Sequence, residues 1–190
     1  MLMPTAMRFI GSLFLIIPFL SACTAPPDAD AIYDSLTNGQ AKFIVTMNGT
    51  DFYPDESRFK GEVTIAPNAI RMNLFDQFES NVILTLNAEN LFVEKPIKRT
   101  IQVDNQVAGS VMIGRVRDRK LRTGDGFVMT AGEVTIEALS DQKIVIRLSG
   151  KVGNFNTLRD ANTWQRLEGL LVYKRPQLIM QGGASRSLLY

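Results

Sequence analysis

Residues 61–74 read Gly-Glu-Val-Thr-Ile-Ala-Pro-Asn-Ala-Ile-Arg-Met-Asn-Leu. Apolar residues alternate with polar ones on both sides of Pro67-Asn68: Val63 and Ile65 before it, Ile70, Met72 and Leu74 after it. Side chains of a strand point alternately to its two faces, so this period of two places all of these apolar residues on one buried face. Proline fixes φ near about −65° and lacks an amide donor, and asparagine tolerates turn backbone. A Pro-Asn pair between two alternating runs therefore reads as a hairpin turn.

The same pattern continues outward in both directions. Lys42 to Met47 alternates and stops at Asn48-Gly49, a strong two-residue turn signal. Asn81–Leu86, Thr100–Val103, Ser110–Val116, Phe127–Thr130, Glu133–Ala138, Lys143–Leu148 and Gly169–Lys174 follow, separated by Gly, Asn, Asp and Pro. This spacing predicts a mainly β protein, a single antiparallel β-sandwich or barrel of roughly ten strands. One short helix is expected near residues 158–166, with Thr157 as N-cap and Asp160 at the third helical position. It would carry Trp164, the only Trp, as a core plug. A second short helix near Ala31–Leu36 is compatible with the sequence. The β-rich domain is expected over residues 31–176. Residues 177–190, with Gly182-Gly183 and an apolar tip, read as a flexible C-terminal tail.

The opening stretch has an echo. Gly61-Glu62-Val63-Thr64-Ile65 recurs as Gly132-Glu133-Val134-Thr135-Ile136, and each copy precedes a run containing Ile-Arg, at Ile70-Arg71 and Ile146-Arg147. Either two strand-turn-strand units are equivalent, or both draw on the residues that alternating strands favour. The second copy, with Ser149-Gly150 after it, also resembles a pattern in small β-sandwich envelope lipoproteins, a likeness that implies no site residues.

The N-terminus carries a different signal. Arg8 precedes an apolar run from Phe9 to Leu20, the layout of a signal peptide. The run is shorter than the roughly 20 residues of a membrane span and contains Pro18. It leads into Leu20-Ser21-Ala22-Cys23, which resembles the lipobox of bacterial lipoproteins. The resemblance implies that residues 1–22 are removed, that Cys23 receives a diacylglycerol thioether, and that its new amine is acylated. Residues 23–30 would then be the lipidated Cys and a tether, rich in Pro and acids. Thr24 rather than Asp follows Cys23, which by the enteric rule implies the outer membrane, facing the periplasm; inner-membrane and cell-surface placements stay open. Cys23 is the only Cys, so no disulfide forms within the chain.

Composition removes several chemistries. There is no histidine, which rules out Ser-His-Asp and Cys-His catalysis and His-ligated zinc. No Gly-rich phosphate loop is present. Ser57-Arg58-Phe59-Lys60 matches Ser-x-x-Lys but stands before a strand, without the partner motifs. The acids Asp51, Asp55, Glu56, Asp76 and Glu79 lie in turn-like segments, where Asp serves local hydrogen bonding. No metal and no cofactor is implied.

The most unusual stretch is Arg115-Val116-Arg117-Asp118-Arg119-Lys120-Leu121-Arg122. On a continuing strand, Arg115, Arg117 and Arg119 share one face. Together with Arg122 they form an expected anion-binding group, since guanidinium grips phosphate or carboxylate in bidentate fashion. The plainer reading is edge charge that keeps sheets from pairing. The expected function is a non-enzymatic binding or assembly module of the cell envelope, held to the membrane by its N-terminal lipid. Its partners would be an envelope protein, lipopolysaccharide or a cell-wall polymer; nucleic acid is not expected. A lipocalin-like barrel carrying an apolar ligand and a carboxylate-dependent hydrolase are the alternatives.

Overall fold

Strands β3 (Lys60–Ala66) and β4 (Ala69–Phe75) pair antiparallel across Pro67-Asn68, with Ala66 opposite Ala69. Val63, Ile65, Ile70, Met72 and Leu74 are buried, and Glu62 and Arg71 are exposed. The alternation thus does what its period requires. This is a computed structural model, and it describes residues 27–190.

The remaining strands are β1 (Gln40–Met47), β2 (Thr50–Asp51), β5 (Asn81–Asn87), β6 (Ile97–Gln102), β7 (Gly109–Asp118), β8 (Thr123–Leu139), β9 (Lys143–Asn154), β10 (Gln165–Lys174) and β11 (Gln177–Met180). They form one sheet in the order β11-β3-β4-β5-β7-β8-β9-β10-β1-β2, with β6 paired to β8 beside that path. Every pair is antiparallel except β11 with β3. The turn between β1 and β2 is Asn48-Gly49, both with positive φ, as such a two-residue hairpin requires.

The sheet rolls up until β1 meets the residue just before β3, at the bridge of Ala41 with Phe59, whose two backbone hydrogen bonds are each 2.8 Å. No ladder grows from that bridge, so the roll does not close into a barrel. Its inside is filled with side chains. Phe43, Tyr53, Phe52 and Phe127 form a chain of ring contacts 4.7 to 5.9 Å apart, and Tyr53 also packs edge-on against Phe59. Fully burying each such ring stabilises the fold by about 1.5–3 kcal/mol. The Tyr53 hydroxyl donates to the Asn81 carbonyl at 2.8 Å, and burial raises its pKa.

Three expectations change. Phe127–Thr130 and Glu133–Ala138 are one strand, β8, with a register shift between Met129 and Ala131. The bulge lets β8 pair with β7 up to Val128 and with β6 from Ala131 onward. The helix expected over 158–166 is replaced by two 3-10 turns, Phe155–Thr157 and Ala161–Thr163, with β10 beginning at Gln165. Asp160 caps the second turn instead of sitting inside a helix, and the ladder to Val152 claims Gln165. Too few residues remain for helical hydrogen bonds. Trp164 is half-buried over this loop, its Nε1 donating to the Leu158 carbonyl at 3.0 Å, and is no core plug. Among the described residues the α-helix is α1 (Ala29–Ser35), capped by Asp28 and packed outside β9 and β10 through Ile32, Tyr33 and Leu36.

The third change is the C-terminal segment. Expected as a flexible tail, it adds β11 along β3 and then crosses the end of the roll, with Leu178, Met180, Leu188 and Leu189 against the core. Tyr190 exchanges two backbone hydrogen bonds with Leu139, at 2.9 and 2.6 Å. Its hydroxyl accepts from the Ile97 amide at 3.0 Å and donates to the Ile136 carbonyl at 2.6 Å. Burial raises its pKa. The exposed edge of β3 supplied unpaired backbone groups, and Leu178 and Met180 supplied apolar area to cover them.

The echo acquires a structural meaning. In β3–β4, Ile65 pairs with Ile70, Thr64 with Arg71 and Gly61 with Leu74. In β8–β9, Ile136 pairs with Ile146, Thr135 with Arg147 and Gly132 with Gly150. The two hairpins therefore run in one register. Gly61 and Gly132 both have positive φ, 154° and 137°. Among the described residues, no helix is long and apolar enough to cross a membrane.

Candidate functional site: the β7–β8 hairpin

The basic stretch forms the end of β7 and the tip of its hairpin with β8. Asp118 shapes the tip by accepting from the amides of Lys120 at 2.8 Å and Leu121 at 3.0 Å. A register shift lies at Arg117, because Val116 opposes Gly124 while Asp118 opposes Thr123. Bulges of this kind re-aim side chains near a strand's end.

Three of the four candidate arginines have internal partners. Arg115 meets Asp125, directly opposite in the ladder, at 3.2 Å. It also donates to the Phe52 carbonyl at 2.9 Å, and its guanidinium carbon lies 4.7 Å from the centre of the Phe52 ring. Arg115 therefore covers the aromatic cluster at this end of the roll. Arg117 meets the other oxygen of Asp125 at 3.1 Å. Arg119 reaches the β4–β5 turn, donating to the Gln77 carbonyl at 3.1 Å with Glu79 at 3.7 Å. Among the described residues, Arg122 and its neighbour Lys120 have no ion-pair partner. Leu121 between them is 73% exposed, and Phe75 at the end of β4 and Phe78 of the adjoining turn are exposed too. The hairpin tip is thus a cationic ridge with apolar side chains on and beside it. Arg115 does not share a ligand-gripping row with Arg119, since one turns inward and the other leans across to a neighbouring turn.

The acids of the sequence have local roles. Asp76 is buried; its Oδ2 accepts from the Ser57 hydroxyl at 2.8 Å and its Oδ1 from the amides of Phe78 and Ser80 at 2.9 and 2.7 Å. Ser57 of the Ser-x-x-Lys match is fully buried in that contact, while Lys60 is exposed at the start of β3. Asp76→Ala leaves the Ser57 hydroxyl and two amides without their acceptor, and a loss of roughly 2 kcal/mol is expected in urea unfolding. Asp55 binds Lys42 at 2.7 Å, and that ammonium holds its carboxyl below the ordinary range. Among the described residues, no three Asp, Glu, Cys or His side chains gather closely enough to hold a metal ion. Cys23 lies outside the described residues.

Compared with protein-family models, curated proteins and solved structures, the chain matches none.

Proposed function

We propose that this chain is an outer-membrane lipoprotein of the bacterial envelope, facing the periplasm, whose β domain is a non-enzymatic binding or assembly module. The observation that carries the reading is the run Phe9–Leu20 ending in Leu20-Ser21-Ala22-Cys23. Cys23 stands four positions before Pro27, a reach of at most about 14 Å. Such an anchor would hold the domain close to the lipid headgroups. Pro27 lines one surface depression with Ile44, Arg147 and Leu170, on the outer face of β1, β9 and β10. That face would be the one nearest the membrane.

The hairpin tip is the proposed contact with an anionic envelope component. Among the described residues the side chains of Lys120 and Arg122 have no ion-pair partner, and Leu121 offers apolar area between them. A filled interior favours a surface contact over an apolar ligand carried inside. Each basic residue near an anionic lipid surface contributes ~1 kcal/mol, so Lys120→Glu with Arg122→Glu should weaken binding to vesicles of anionic lipid by roughly thirtyfold or more. Neither residue holds the fold together, so the thermal midpoint should not move. Undiminished binding to such vesicles and to purified lipopolysaccharide would remove the tip from the proposal. For an assembly role, the lipidated protein is captured from native envelopes beside a Cys23→Ala control. A stoichiometric protein lost in the control supports the assembly reading, and its absence counts against it.

A further inference from the structure

Strand β6 carries a cation on its inward column. Its residues alternate buried, exposed, half-buried, exposed, buried and exposed from Ile97 to Gln102, so Arg99 falls between the buried Ile97 and Ile101. Opposite it in β8 stands Val134, fully buried, flanked by the pairs Ile97 with Ile136 and Ile101 with Gly132. An arginine seldom occupies such a column without a partner, because a charge removed from water needs compensation. Arg99 has no ion pair among the described residues, and its Nε is buried without an acceptor.

Beside it is a cavity of about 260 Å³, lined by Asn90, Leu91, Val93, Glu94, Ile97 and Lys98 along with Arg99. β6 pairs with β8 on one side alone, and the segment from Asn90 to Glu94 forms the opposite wall. This cavity is remote from the hairpin tip: Val134 stands eleven positions along β8 from Thr123, roughly 35 Å of strand.

We propose that this cavity binds a small monocarboxylate with a short apolar body, held by Arg99. Guanidinium is planar and matches the two oxygens of a carboxylate in bidentate fashion. Lys98 adds positive charge at the same wall. Val93, 75% exposed, supplies the apolar surface for the body of the ligand, backed by the buried Leu91 and Ile97. Glu94 sets the charge limit, because its carboxylate repels a dianion such as phosphate more strongly than a single carboxylate. The cavity admits a small molecule or the end group of a larger one. This site does not depend on the lipid anchor or on the hairpin tip.

The folded protein is titrated with butyrate and, separately, with inorganic phosphate, following the backbone amide signals of residues 90–95 and 97–99. Butyrate is expected to shift them saturably, and phosphate to bind at least about tenfold more weakly. Arg99→Gln should weaken butyrate by at least about tenfold, the loss of a charge-assisted pair of hydrogen bonds. Glu94→Gln, on an exposed turn, should tighten butyrate binding and narrow the gap to phosphate. Phosphate binding as tightly as butyrate would overturn the monocarboxylate assignment. No saturable shift with either probe, or undiminished butyrate binding in folded Arg99→Gln, would overturn the site. Should Arg99→Gln fail to fold, an unchanged butyrate affinity in Glu94→Gln overturns it equally.

Discussion

Cys23→Ala is expected to block lipidation and, in chains whose signal segment is still cleaved, to move the protein from the membrane pellet into the soluble fraction. Each buried methylene of an acyl chain contributes ~0.8 kcal/mol, so two or three chains hold a protein to a bilayer essentially without release. Nothing else named in the chain approaches that energy: the tip charges contribute ~1 kcal/mol each. Loss of the thiol should therefore abolish membrane retention in high salt, where the tip charges are screened. The β domain begins beyond this position, and its unfolding midpoint should stay within about 0.5 kcal/mol of the parent. Mass spectrometry of the mature parent should find Cys23 at the N-terminus with a thioether-linked diacylglycerol. A parent protein that washes from membranes with salt, or whose mature N-terminus lies elsewhere, would reject the lipoprotein reading while leaving the Arg99 cavity untouched.

The second large effect falls on the two equivalent glycines. A Cβ built on Gly61 would lie 2.0 Å from the Asn73 carbonyl oxygen, and one on Gly132 would lie 2.2 Å from that of Ser149. Both positions also have positive φ, which side-chain-bearing residues rarely adopt. Alanine there must displace a paired strand as well as strain its own backbone, and about 3 kcal/mol or more should be lost at either site. Gly39 is the control: its φ is +75° but nothing lies within 4 Å of its would-be Cβ, so alanine should cost about 1–2 kcal/mol. Urea unfolding checks all three through the midpoint, with the slope unchanged. Similar large losses at Gly61 and Gly132 would mean that the repeated sequence encodes a repeated backbone device. A large loss at one alone would reduce the echo to shared strand vocabulary.

Local patterns were legible and long-range pairings were not. Val63, Ile65, Ile70, Met72 and Leu74 announce their buried face by period, and Asn48-Gly49 and Pro67-Asn68 announce their turns by backbone chemistry. Residues 157–166 misled because a capping pattern competes with a ladder, and the pairing of Gln165 with Val152 cannot be read from Thr157 and Asp160. Residues 177–190 misled for the same reason: Gly182-Gly183 reads as a terminator, whereas the free edge that captures Leu178 belongs to a distant strand. At the hairpin, the pairing of Arg115 with Asp125 follows from register once the hairpin is drawn, but Arg119 finds Gln77 across 42 residues. Arg99 left one local trace. Ile97-Lys98-Arg99-Thr100-Ile101 places a cation at the centre of an alternating pattern whose outer members are buried, a conflict that pattern reading absorbs as noise.

The parallel pairing of β11 with β3 also governs when this chain can finish folding. Gln177 and its partner Glu62 are 115 residues apart. A chain delivered from its N-terminus presents β3 early, and the strand that covers its edge arrives more than a hundred residues later. In that interval β3 presents unpaired amides and carbonyls to any neighbour able to add a strand. Contacts this distant in sequence also form slowly. The vulnerable species is therefore the chain whose β3 edge still waits for residues 177–180, exposed during that wait to pairing with other chains.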